Sequence, residues 1–136
     1  MIEGQWQELV AALRDTTNSD AAVNAAAALQ AGATDEDVPR LLGLLSDADF
    51  FVREAAAWTL ADLGRVDAIP ALVRAKHLGT EQGHDNDSLS TALADLVSMN
   101  SEAALPIVRT LVEHSDPRYQ ETGRWLLEFC AVPHDA

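Results

Sequence analysis

The feature that most constrains this chain is a pattern that returns after 67 residues. The stretch Asp49-Phe50-Phe51-Val52-Arg53-Glu54-Ala55-Ala56-Ala57-Trp58-Thr59-Leu60 reappears as Asp116-Pro117-Arg118-Tyr119-Gln120-Glu121-Thr122-Gly123-Arg124-Trp125-Leu126-Leu127, with Asp, Glu, Trp and Leu in register. Pro39 and Pro106 keep the same spacing, and Pro70 divides it into 31 and 36 residues, so two repeats fit in the interval. Shifting by 36 places Ala56 on Ala92, Leu60 on Leu96, Leu63 on Met99 and Ala68 on Ala104, with five extra residues in one loop. A looser unit starts near Asp20-Ala21-Ala22-Val23. Repetition at this period marks stacked units, each burying its apolar face against the next. A chain of 136 residues suits one such domain, with approximate repeats 5-33, 34-65, 66-101 and 102-131 and a tail 132-136.

The repeated unit reads as a helix pair. Apolar residues make up 48% of the chain but aromatics only 5%, so the core must come from Ala, Leu and Val, which pack and propagate helices well. Asp49 and Asp116 stand where an N-cap carboxylate accepts orphan amides, and Pro117 follows at a position where its missing N–H is harmless. Thr34 and Asp37 have capping-box spacing, and Gly32, Gly64 and Gly79 mark expected helix ends. The predicted fold class is all-α: a short α-solenoid of about four antiparallel helix pairs.

The run Asp-x-Asp-x-x-Val-Arg-x-x-Ala-Ala-x-x-Leu-x-x-Leu-Gly from Asp47 to Gly64, followed by Ala68-Ile69-Pro70-Ala71-Leu72, resembles the HEAT-like repeat of the phycobilisome-lyase type. The resemblance covers about residues 20 to 130. It implies stacked antiparallel pairs in a right-handed superhelix, with second helices lining a concave surface. It implies no particular activity, because the family serves as scaffold, adaptor, inhibitor and only occasionally enzyme.

Turning about 100° per residue from Val52, the residues Val52, Ala56, Thr59, Leu60 and Leu63 share one arc and form the expected core stripe. Tyr119, Gly123, Leu126, Leu127 and Cys130 take the same angles in the last repeat, which makes Cys130 a buried apolar group. Trp58 and Trp125 fall near about 240°, far from the stripe, and are expected to point towards the concave groove, giving it an acidic face for a basic partner. Glu54 and Glu121 lie one turn before them, and Asp62 one turn after Trp58. Carboxylates beside an indole suit partner recognition, while a Trp here can also lean over an adjacent helix and serve packing. Trp6 reads as a packing or end-capping residue. The longer loop of the third unit carries His84, Asp85 and Asp87, which either contact a partner or cap the next helix.

Charge narrows the function classes. The net charge is -13, from 22 carboxylates and 9 basic residues, and Lys76 is the lone lysine. Such a surface repels nucleic acid and anionic membrane and complements a basic protein, although acidity also serves solubility. A single cysteine and no long apolar run point to a cytoplasmic protein without disulfides. His77, His84, His114 and His134 are scattered over loops and helix ends without metal-binding spacing, and no HExxH, Walker or GxGxxG motif occurs. Of the enzymes in the resembled family, deoxyhypusine hydroxylase relatives need His-Glu pairs that this chain lacks, and DNA glycosylases need a basic groove. Phycobilin lyases are usually longer.

The expected function is therefore non-catalytic protein binding, by a monomer or weak homodimer, with no cofactor and no metal. The partner-binding residues are Trp58, Trp125, Glu54, Glu121, Asp62, His84, Asp85 and Asp87. One version is an inhibitor of the toxin-neutralising immunity kind. The alternatives are a scaffold or regulatory subunit of a larger complex, or an accessory to a pigment- or cofactor-attaching enzyme.

Overall fold

A computed structural model describes residues 1–130; His134 and the tail lie outside the described residues. Among the described residues the chain is all-helical, with no strand. It divides into two compact units, Met1–Leu63 and a second beginning at Gly64.

The first unit holds α1 (Glu3–Leu13), α2 (Ser19–Gly32), α3 (Val38–Leu44) and α4 (Phe50–Asp62). Three of these starts are set locally. Asn18 accepts the amide of Ala21 at 3.0 Å, and Asp49 accepts those of Phe51 and Val52 at 2.8 and 3.4 Å. Thr34 and Asp37 form the reciprocal capping box ahead of α3. Val52, Ala56, Thr59 and Leu60 are buried as the period requires, and Leu63 is half-buried. Burial on α4 goes further, taking in Arg53, Ala55 and Ala57, because α1, α2 and α3 all pack against it. Arg53 is 0% exposed and donates to the carbonyl of Asp47 at 2.7 Å. Trp6 is buried, with the Arg40 guanidinium 4.5 Å from its ring centroid.

The second unit holds α5 (Ile69–Glu81), α6 (Asp87–Met99), α7 (Ser101–Val112) and α8 (Pro117–Cys130). Asp116 accepts the amide of Arg118 at 2.9 Å, which fixes the start of α8. Ala92, Leu96 and Ala104 are buried like their repeat equivalents Ala56, Leu60 and Ala68. Met99 departs from the pattern: it ends α6 and is 83% exposed. Pro39 and Pro70 sit in the first turns of α3 and α5, whereas Pro106 lies inside α7, which starts five residues earlier.

One of the three glycine assignments, Gly79, needs correction. Gly64 does close α4 with φ +69, but α5 runs through Gly79 to Glu81, and the left-handed residue after it is Gly83 at φ +78. Gly32 ends α2 without a positive φ. Gly123 serves close approach instead: a Cβ there would lie 2.7 Å from the Val112 nitrogen and 2.9 Å from the Leu111 Cβ. Cys130 is buried, and burial pushes its thiol above the ordinary value.

Candidate functional site

On α4, Glu54 and Trp58 are half-buried and Asp62 is exposed, one turn apart along one side of the helix. Asp62 accepts a hydrogen bond from Gln30 Nε2 of α2 at 2.7 Å, so this side of α4 is bordered by α2. Gln30 has no counterpart in the sequence signals used above, because its role depends on the spacing of two helices.

The equivalent positions on α8 have different surroundings. Glu121 is exposed and Trp125 half-buried. The Trp125 ring meets Phe129 edge-on at 5.4 Å, and Lys76 Nζ of α5 lies 5.8 Å from its centroid. The indole expected to face a groove of second helices thus lies beside the first helix of the preceding pair. Glu121, Lys76, Thr80 and Arg118 line a cleft of about 180 Å³ with His77 and Thr122 at its base.

His77 is the residue that sequence reasoning missed. It is 8% exposed within α5, with Nε2 3.0 Å from Thr122 Oγ1. Tyr119 packs edge-on to it at 4.6 Å and stacks on His114 at 4.4 Å. Nδ1 has no hydrogen-bond partner, which a lone pair tolerates better than an N–H; this favours the tautomer donating from Nε2 to Thr122. Burial, reinforced by the charges of Lys76 and Arg118, lowers its pKa from the usual value. The unfolded chain therefore binds this proton more readily than the folded one. The contribution is complete above pH of about 6.5 and is lost as pH falls below it towards the lowered folded value. Urea midpoints should fall between pH 7 and pH 5.5, and His77→Leu should flatten that slope.

The loop residues His84, Asp85 and Asp87 are exposed. Asp85 accepts the amide of Asp87 at 2.9 Å, a capping arrangement at the start of α6. The loop is tied to α5 by Asn86 Nδ2, which donates to the Lys76 carbonyl at 2.9 Å and to Thr80 Oγ1 at 2.8 Å. Arg118 pairs with Glu81 at 2.8 Å and Asp116 at 3.2 Å.

Among the described residues, no group of three or more His, Cys, Asp or Glu side chains is arranged to hold a metal ion. No helix among them is long and apolar enough to cross a membrane.

Comparison with protein families matches residues 7–82 to HEAT repeats. The match does not distinguish the phycobilisome-lyase type. No curated protein and no solved structure matches the chain. HEAT repeats commonly mediate protein–protein interaction, and their fold is typically a non-catalytic scaffold. With more than half of its residues matched and its helices arranged as an α-solenoid, the chain belongs to the HEAT-repeat proteins.

Proposed function

We propose that this protein is a non-catalytic module that binds a basic protein surface through the acidic, indole-bearing side of α4. The observation that carries the reading is the charge balance of the first unit, which has eleven carboxylates against three arginines, a net -8. All three arginines are engaged internally. Arg14 pairs with Asp47, Arg40 with Asp37 and Glu3 at 2.6 and 2.9 Å, and Arg53 is buried. The outward field of this unit is therefore negative around Trp58, with Glu54 and Asp62 beside it. Asymmetry of this kind speeds encounter with a cationic partner, and an aromatic anchor supplies affinity once docked. An inhibitor that blocks a cationic toxin, as immunity proteins do, is one concrete form. Glu121 and Trp125, with the 84–87 loop, offer a second contact region in the other unit.

Affinity capture from the native cell identifies the partner, and its binding kinetics test the reading. Association should slow steeply as salt rises, and Trp58→Ala should weaken binding by about tenfold or more. A folded Trp58→Ala protein with unchanged affinity removes the α4 side as the docking surface.

A further inference from the structure

We propose that the groove between α1 and α2 docks an amphipathic helix with basic flanks. The groove has a volume of about 770 Å³, and none of its walls comes from α3 or α4. Its α1 wall, which includes Leu9 and Ala12, lies about 120° round that helix from the buried Trp6, Val10 and Leu13. On α2 it is lined by the half-buried Ala21 and the exposed Ala28 and Gly32, with the buried Ala25 beneath them.

Three properties make a helix the fitting occupant. In a HEAT stack, each pair covers the apolar face of its neighbour with helices, and within the first unit this face has no such cover. Its alanine and glycine floor removes the side-chain bulk that holds helices apart, so a third helix can approach at the close end of the usual 8–10 Å range. Its length along α2, from Ala21 to Gly32, matches three turns of a docked helix with apolar anchors at i, i+4 and i+7.

Charge selects among helices. Glu8 stands in the α1 wall. It makes no hydrogen bond or ion pair with another described residue. The unit carries -8, so a second copy would bring like charge to this face, whereas Lys or Arg flanking an apolar stripe would meet Glu8 and the negative field around it. The partner's charge rests on the reading proposed above; the place does not, since α4 contributes nothing to the groove.

The test uses the full chain and a fluorescein-labelled 18-residue helix with Ala and Leu on one face and Lys on the other, beside a counterpart with Glu in place of Lys. Fluorescence anisotropy should show the Lys helix binding about tenfold or more tighter than the Glu helix. Ala28→Gln raises a neutral side chain from the floor at an exposed position and should weaken binding about tenfold. Glu8→Gln should flatten the salt dependence. Unchanged binding by folded Ala28→Gln overturns the groove; if the Lys helix is still preferred, the basic-partner reading survives that failure. Equal binding of the Glu helix, abolished by Ala28→Gln, would keep the groove but overturn its basic occupant and, with it, the partner chemistry. Self-association with rising concentration that Ala28→Gln abolishes assigns the groove to a second copy and also overturns the proposal.

Discussion

Asp37→Ala is expected to destabilise the first unit by about 3 kcal/mol, because it strips the shared partner from a buried cluster of charges. The carboxylate is 1% exposed. It accepts the Thr34 amide at 2.9 Å, Arg40 Nη2 at 2.6 Å and the terminal ammonium at 3.4 Å. Removing it orphans the amide and leaves the part-buried ammonium without its counter-ion. Arg40 is less affected, being 30% exposed and still paired to Glu3, which keeps the figure at the lower end for a broken buried pair. Asp37→Asn retains an acceptor for the amide and should cost less.

The same cluster sets an acid limit. Burial pushes the Asp37 carboxyl up, but the Thr34 amide, Arg40 and the ammonium together hold it below its ordinary value. Its stabilisation is therefore complete above the unfolded value of about 3.9 and is lost as pH falls through the lower folded value. That window lies well below the one set by His77. Urea titration at pH 7 measures the first effect; an Asp37→Ala midpoint equal to wild type would show that the cluster holds nothing together.

Gly123→Ala should destabilise the second unit by about 2 kcal/mol, although alanine is the better helix former by about 1 kcal/mol. The added methyl meets the backbone nitrogen of Val112 at 2.7 Å, and backbone cannot rotate aside as a side chain can. Relief requires α7 and α8 to separate, which loosens the contacts of buried Val108, Leu111 and Leu126. Gly123→Val should cost more. The mirror test is Ala56→Gly, which occupies the same repeat position on α4 and should lose helix propensity with no relief of crowding. Denaturant midpoints separate the two cases.

Gly123 and Ala56 also show what was legible in the sequence. Both fall on the predicted core arc, since a period of 3.6 reveals which side of a helix is buried. It carries no information about the distance to the next helix, so alanine and glycine at one register looked alike. Asp49, Asp116 and the Thr34–Asp37 box were readable because capping involves residues two or three apart in the chain. Gly79 misled for the same local reason: a glycine near an expected end resembles a stop, and only the packing of α5 shows the helix continuing to Glu81. That misplaced end also put His77 at a helix terminus instead of in the core. Trp58 and Trp125 share a helical angle but not a neighbourhood, because Gln30 and Lys76 arrive from other helices. Arg53 lies about 100° round from Val52, off the stripe, and is still buried, by three neighbouring helices that no single-helix pattern could count.

Lys76 gives the molecule an unusual chemical profile. It is the chain's lone lysine, and the terminal ammonium is paired with Asp37. Acylation, glycation and amine cross-linking thus have one accessible side-chain target, and that target stands over the Trp125 ring. A fluorophore attached there would report on the indole beside it.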